Sequence, residues 1–239
     1  MNTIILRNRL RSDGYEPFVD GVSDAMQAIR AVRTYAKEWN IDPNRIGIIG
    51  FSAGAELSSS ADVEYVGFDR EHQDAGDPFA KVSARPDFVG IIYPGPTPFA
   101  PNRTAPEIPA DVLRLFWPRR APGDRVHAIW ANEFFTALLS RGAPNLEMHV
   151  YGHSAHPGGQ LPDGTRMSGG LTDRKGLPFG TWRFRFIDWM RDLGFLGQPG
   201  VETKAAKDVA EFVQNPLPAA GAAQFRPPGA LDSGVAHDP

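Results

Sequence analysis

A serine within a short glycine motif is the strongest chemical signal in the sequence. Ser52 is the central residue of Gly50-Phe51-Ser52-Ala53-Gly54, which follows an apolar run and precedes small, helix-compatible residues. Such a motif lets a strand turn sharply into a helix, and the turn leaves the central hydroxyl exposed above the helix N-terminus. The motif predicts a nucleophilic serine, with the backbone N–H of Ala53 donating to an oxyanion. The alternative is a plain strand-to-helix turn in which Ser52 caps the helix.

Two histidines in one loop are candidates for the base that such a serine requires. A serine hydroxyl is a weak nucleophile, so a base must take its proton and an acid must orient that base. His156 is the preferred base, because it lies further from the end of a predicted strand over 145–151 and is flanked by small residues. His153 is the alternative base or a substrate-binding residue. Both could instead be solvated loop histidines.

The candidate acid follows the predicted strand that precedes strand 145–151 in the sequence. Asp124 comes after a predicted strand over 112–117. It therefore lies between Ser52 and the histidines, which is the position of the acid when the triad residues follow the chain order serine, acid, histidine. Its alternative role is to cap the helix that starts near residue 126. Trp117, at the end of that strand, is the best candidate for a face on which a sugar ring could stack. Asp163 and Asp173, beyond the histidine loop, could also contact substrate.

The elements around these residues alternate between strands and helices. Such alternation predicts an α/β fold with a mostly parallel sheet and helices on both faces, so that the site lies at the carboxyl ends of the strands. Residues 63–87 are polar and are predicted to form a loop. The apolar strand before Ser52 and the sharp turn at Ser52 together form a predicted nucleophile elbow. The other predicted strands are 3–6, 88–93, 112–117 and 145–151, and the predicted helices are 22–39, 53–62, 126–141 and 181–193.

Composition limits the classes of partner. The chain has 239 residues, a net charge of −3 and no cysteine, which excludes disulfides and thiolate catalysis. It has no basic block to bind nucleic acid or an anionic membrane, no span long enough to cross a bilayer and no signal peptide. One folded α/β domain is predicted over 1–198, and the Ala/Pro/Gly-rich tail over 199–239 is expected to be largely disordered.

Several segments together resemble a known family. The chain is similar to the α/β-hydrolase carbohydrate esterases, specifically the bacterial acetylxylan and feruloyl esterase-like group. The resemblance implies Ser52 as nucleophile, Asp124 as acid and His156 as base, and de-acylation of plant-polysaccharide esters as the activity class. The matching segments are 20–33, 41–54, 83–94, 124–139 and 147–158, of which 41–54 is the most specific.

The chain departs from this family in three places. Ala55 and Glu56 stand where the family has a glycine and a histidine. Residues 118–123 intervene between the strand and Asp124. The His-Gly-Gly-Gly loop, which in the family follows one of the first strands and supplies the second oxyanion donor, has no counterpart here. The sequence is therefore expected to lack the usual first strands, so that strands 3–6 and 46–51 pair directly, another chain fills the gap, or the natural N-terminus is missing.

The sequence thus predicts a serine carboxylic-ester hydrolase that de-acylates a small-molecule or oligosaccharide ester and needs no cofactor or metal. The triad pattern points to acyl transfer alone, and the carbohydrate rests on the resemblance. One alternative is a non-catalytic relic that binds a carbohydrate or a partner. The other is a carboxylesterase for small esters in general. The sequence leaves the compartment and a homo-oligomer open.

Overall fold

A four-stranded parallel sheet forms the centre of the chain. The computed structural model describes residues 2–74, 76–100, 104, 106–109, 113–117, 125–151 and 181–196. The sheet has the order β1-β2-β3-β4, and every neighbouring pair is parallel. The register aligns Phe51, Ile92 and Trp117, so the carboxyl ends of three strands lie in one row. The strands are β1 (Ile48–Phe51), β2 (Phe88–Ile92), β3 (Leu113–Trp117) and β4 (Leu146–Met148).

In the described residues, four α-helices connect and cover these strands. A short π-helical turn, Pro17–Gly21, leads directly into the first helix, which packs along the second. The first helix ends at Thr34, earlier than the predicted residue 39, and turns carry the chain to Asn40. Among the helices that the structure describes, none has the length and apolar character needed to cross a bilayer. The helices are α1 (Val22–Thr34), α2 (Ala53–Glu71), α3 (Arg125–Ser140) and α4 (Trp182–Asp192).

Alternate residues of β2 belong to two different hydrophobic cores. Val89 and Ile91 lie in the larger core with side chains of α1, α2 and α3. Phe88 and Ile92 pack with α4 in the smaller one. Because successive strand residues point to opposite faces, both faces of the sheet are covered. Burying each large apolar side chain stabilises the fold by about 1.5–3 kcal/mol. The predicted α/β architecture with helices on both faces is confirmed.

Helix α2 is longer than the sequence predicts. Residues 63–71 continue the helix instead of starting a loop, because Val63, Tyr65 and Phe68 extend its buried stripe. The neighbouring polar residue Asp69 accepts hydrogen bonds from the guanidinium of Arg30, whose side chain is 1% exposed. Buried charges of this kind are retained only when paired. The polar residues that suggested a loop therefore satisfy a buried cation.

The prediction of a buried strand over residues 3–6 is wrong in the described structure. The segment has no strand hydrogen bonding, and the side chain of Ile5 is 91% exposed. A strand needs a neighbour to satisfy its backbone groups. Strand β1 forms a ladder with β2 along one edge, and no described residue forms a ladder along its other edge. The domain boundary at 198 and the tail over 199–239 lie outside the described residues.

Candidate active site

Ser52 occupies a strained backbone conformation between β1 and α2. Its φ of 53° and ψ of −121° lie in a region that residues other than glycine rarely adopt. The Ser52 N–H donates to the carbonyl oxygen of Ile92 at 3.1 Å, and the Ser52 carbonyl accepts from the N–H of Ala55 at 2.8 Å. These bonds tie the residue to β2 on one side and to the helix on the other. Strand, turn and helix therefore follow the predicted elbow.

Only one glycine of the motif is required by close packing. A Cβ atom at Gly50 would lie 1.9 Å from the carbonyl oxygen of Gly54 and 2.4 Å from the Oγ atom of Ser58. A Cβ atom at Gly54 would meet nothing within 4 Å among the described residues. The sequence pattern assigned both glycines the same role. The structure shows that Gly50 lets the strand and the first helical turn touch.

The N-terminus of α2 begins directly beside the serine. Ala53 is the first residue of this 19-residue helix and is exposed. The Ser52 side chain makes no capping hydrogen bond to the helix, so the alternative role as a helix cap is wrong. Backbone N–H groups in a first helical turn lack intrahelical partners and carry a partial positive charge. An anion forming on a group bound to Ser52 would be stabilised at this position.

A second strained residue lies at the end of the adjacent strand. Tyr93 follows Ile92, has a φ of 40° and is 2% exposed. Its ring lies 6.2 Å from that of Phe51 and 6.4 Å, edge-on, from the ring of His127. For a bulky residue such a φ is an outlier, and outliers of this kind cluster at functional sites. Two strained residues therefore lie side by side at the carboxyl edge of the sheet.

The elements that flank the predicted triad surround this edge, while Asp124, His153 and His156 lie outside the described residues. Trp117 ends β3 opposite Ile92. Arg125, which follows Asp124, begins α3. The segment 152–180, which holds both loop histidines, is preceded by Tyr151 in the smaller core. It is followed by Thr181 and Trp182, whose indole lies 5.5 Å from the Phe51 ring.

Asp163 and Asp173 also lie outside the described residues, and the described part of the chain contains no cluster of three His, Asp or Glu side chains that could hold a metal.

His127 is a residue of this region that the sequence analysis did not select. It lies in the first turn of α3, on the same helix face as the fully buried residues Ala131, Phe134 and Leu138. Positions three and four apart share one face of a helix. A histidine that continues the apolar stripe of α3 into its first turn was the available signal in the sequence.

An ion pair holds the strand before the histidine loop against α4. Arg185 donates from Nε and Nη2 to the two carboxylate oxygens of Glu147 at 2.5 and 2.7 Å. His149 Nε2 lies 2.5 Å from the same carboxylate. Burial acts to raise the pKa of Glu147, but hydrogen bonds from Arg185 and His149 outweigh burial and hold that pKa below its ordinary value. The carboxylate is therefore the form that the fold stabilises.

Replacing Arg185 with glutamine should destabilise the fold in a pH-dependent way. Because the pKa of Glu147 is lower in the folded chain, the pair stabilises fully above the ordinary value of 4.5, and this contribution is lost as the pH falls through the folded value. We expect the free energy of unfolding to fall by on the order of 1 kcal/mol at neutral pH, with a smaller difference in acid. Urea titrations from neutral pH to about pH 3 measure this difference.

The matched control for this prediction is Arg191→Gln on the same helix. Arg191 lies 3.3 Å from Asp188, and both side chains are more than half exposed. Exposed pairs contribute little, so this variant should stay within about 0.5 kcal/mol of the parent at every pH. If Arg185→Gln lowers the free energy of unfolding by the same amount at every pH, the packing of Arg185, and not its charge, stabilises the fold.

Comparison with known proteins agrees with this geometry. Residues 4–92 match the BD-FAE family. A stretch of 38 residues is 60% identical to an acetylxylan esterase of Xylanibacter ruminicola, and covers 16% of this chain and 8% of that protein. A stretch of 73 residues is 37% identical to endo-1,4-beta-xylanase B of Butyrivibrio fibrisolvens, and covers 30% of this chain and 11% of that protein. The chain therefore matches only about a tenth of the length of these two relatives.

A solved structure extends the similarity over most of the fold. The acetyl ester-xyloside bifunctional hydrolase of Caldicellulosiruptor lactoaceticus superposes with a TM-score of 0.61 at 26% identity, and the alignment covers 80% of this chain and 71% of that one. The two chains therefore share their fold over most of this length. The chain therefore has an α/β-hydrolase fold, and its sequence is similar to the BD-FAE family and to an acetylxylan esterase.

Proposed function

We propose that the protein is a serine carboxylic-ester hydrolase. The observation that carries the proposal is the strained backbone of Ser52 at the N-terminus of α2. Strain of this kind persists only where the surrounding structure holds it, and here β2 and the first turn of the helix do so. The Ser52 side chain makes no capping hydrogen bond to the helix. Exposing a hydroxyl beside helix N–H groups is what acyl transfer from an ester requires.

In the proposed reaction Ser52 forms an acyl-enzyme. Its Oγ attacks the ester carbonyl carbon, and the hydroxyl proton passes to the imidazole of His156, which Asp124 orients. The carbon–oxygen bond to the alcohol then breaks, and the alcohol leaves with the proton from His156. His156 next takes a proton from water, whose oxygen attacks the acyl carbon. The bond between that carbon and Oγ then breaks, His156 returns the proton to Oγ, and the acid is released. The N–H of Ala53 stabilises the oxyanion in both steps.

We assign the substrate to the acylated carbohydrates. The support is the similarity to an acetylxylan esterase and to an acetyl ester-xyloside hydrolase, together with the match to the BD-FAE family. Phe51 and His127 are partly exposed aromatic residues at the carboxyl edge of the sheet, and such rings are suited to stacking against a sugar. Trp117 ends β3 at that edge, and His153 belongs to the loop that carries the proposed base.

Labelling with a fluorophosphonate probe followed by peptide mass spectrometry tests the proposal. The probe reacts with a serine that is activated by a base, so we expect a single adduct on Ser52. The His156→Ala variant should label far more slowly, and His153→Ala should label like the parent. Loss of labelling in His153→Ala with retention in His156→Ala would reassign the base to His153. No adduct on a cooperatively folded sample would contradict the enzymatic proposal and favour a non-catalytic binding protein.

The second candidate is a carboxylesterase without sugar preference. It is favoured by the acyl-transfer geometry alone, because an elbow serine acts on simple esters equally well. Comparing kcat/KM for acetylated xylo-oligosaccharides and 4-nitrophenyl acetate separates the two candidates. A clear preference for the oligosaccharide supports the first proposal, and equal turnover or a preference for the aryl ester supports the second.

A further inference from the structure

Two partly exposed aromatic side chains on α3 meet edge to face and form a surface close to the nucleophile elbow. The rings of His127 and Trp130 are 5.8 Å apart and inclined at 86°. Both residues are partly exposed, unlike Ala131, Phe134 and Leu138 further along the helix, which are fully buried. The apolar core therefore ends at the first turn of α3. The imidazole of His127 and the indole of Trp130 lie at this end of the helix instead of fully buried apolar side chains.

A continuous series of ring contacts connects this surface to Ser52. His127 packs edge-on against Tyr93, and Tyr93 packs against Phe51, the residue before the nucleophile. Tyr93 also follows Ile92, whose carbonyl accepts the Ser52 N–H. Because Tyr93 is buried and conformationally strained, it holds His127 at a defined position relative to the elbow. The surface is thus a fixed part of the site.

We propose that His127 and Trp130 bind the sugar ring that carries the ester, and so determine specificity for carbohydrate substrates. The inference rests on the proposed esterase function and assigns its substrate recognition to residues of α3. Trp130 supplies an apolar face for the C–H face of the ring. His127 places an imidazole, a ring with hydrogen-bonding groups, beside that face.

The right angle between the rings favours a saturated sugar over other ligands. A pyranose presents an apolar face and, at its rim, hydroxyl groups directed outward. Stacking on one ring therefore brings the hydroxyls toward a second ring placed at right angles to it. A simple acyl ester has neither feature and gains nothing from the pair. Discrimination between the two substrates should consequently depend on these side chains.

Two variants and a matched control test this assignment kinetically. We expect His127→Phe and Trp130→Leu each to lower kcat/KM for acetylated xylo-oligosaccharides by about tenfold, mainly through KM, the size expected for one lost hydrogen bond or stacking contact. Turnover of 4-nitrophenyl acetate should change less than about twofold in both variants. Ile129→Ala, on the outer face of the same helix and 51% exposed before substitution, should leave both substrates unaffected.

Equal losses on both substrates, or none on either, would overturn the inference. Unchanged fluorophosphonate labelling of both variants must accompany the result, because slower labelling would place His127 in the proton-transfer machinery instead. Thermal unfolding of all three variants identifies any general loss of the fold.

Calorimetric titration with unacetylated xylo-oligosaccharide separates this inference from the esterase proposal. We expect the parent to bind this probe and both variants to bind about tenfold more weakly. Hydrolysis of esters without binding, or with equal binding by all variants, would refute the sugar surface and leave the esterase intact. Binding that depends on both residues without any hydrolysis would refute the esterase and retain the sugar surface.

Discussion

Replacing Ser52 with alanine should lower kcat for ester hydrolysis by about four to six orders of magnitude, the range seen when a nucleophile of a catalytic triad is removed. The reason is that no acyl-enzyme can form without Oγ. Fluorophosphonate labelling should disappear at the same time. Ser140→Ala provides the matched control, since Ser140 is exposed at the end of α3. Hydrolysis that survives in Ser52→Ala would require a different nucleophile and would refute the mechanism.

The same position also allows a measurement of backbone strain. Both alanine and glycine remove the hydroxyl, but only glycine adopts a φ of 53° with a ψ of −121° without steric penalty. Strain at such sites is of order 1–3 kcal/mol. We therefore expect Ser52→Gly to match or exceed the stability of Ser52→Ala, even though glycine ordinarily destabilises by its greater freedom in the unfolded chain. A glycine variant that is clearly less stable would show that the conformation is relaxed in solution.

Replacing Gly50 with alanine should destabilise the chain by about 3 kcal/mol or more, at the upper end of overpacking effects. The new Cβ atom would lie 1.9 Å from the carbonyl oxygen and 2.2 Å from the carbonyl carbon of Gly54. Both are backbone atoms, so the clash cannot be relieved by rotating a side chain. The first turn of α2 must move away from β1, which also displaces Ser52. Urea unfolding measures the loss, and labelling measures the displacement.

Gly54→Ala is the control for that substitution. The added Cβ atom would meet no described atom within 4 Å, and the residue lies within the first turn of the helix. Replacing glycine by alanine inside a helix stabilises by roughly 0.5–1 kcal/mol. We therefore expect opposite signs for the two glycines of one motif. A similar destabilisation at both positions would contradict the described contact between strand and helix.

The elbow was predictable from the sequence because its determinants are local. An apolar run, two glycines and a run of small residues fix the strand, the turn and the start of the helix within a few positions of Ser52. The later strands and α4 were predictable for the same reason, since their apolar periodicity is continuous. The catalytic roles of Ser52, Asp124 and His156 remain predictions.

The errors occurred where long-range partners decide the local structure. Asp69 appeared to belong to a polar loop, but it bonds Arg30, which lies far upstream in the sequence. Residues 3–6 have the composition of a strand, but in the described structure no neighbour pairs with them. The position of His127 next to Tyr93 depends on how α3 meets the end of β2. Periodicity within one segment carries no information on any of these contacts.

The hydrogen bond from the Ser52 N–H to the Ile92 carbonyl has a consequence for the order in which the protein loses structure. A nucleophile on a surface loop can become disordered while the rest of a domain stays folded. Here the backbone of Ser52 is bonded to a central strand and to a long helix, so it opens together with the sheet. Local fluctuations of lower free energy therefore do not reach it. Activity should accordingly be lost on heating only when the whole domain unfolds. The backbone amide hydrogen of Ser52 itself is expected to exchange slowly with solvent.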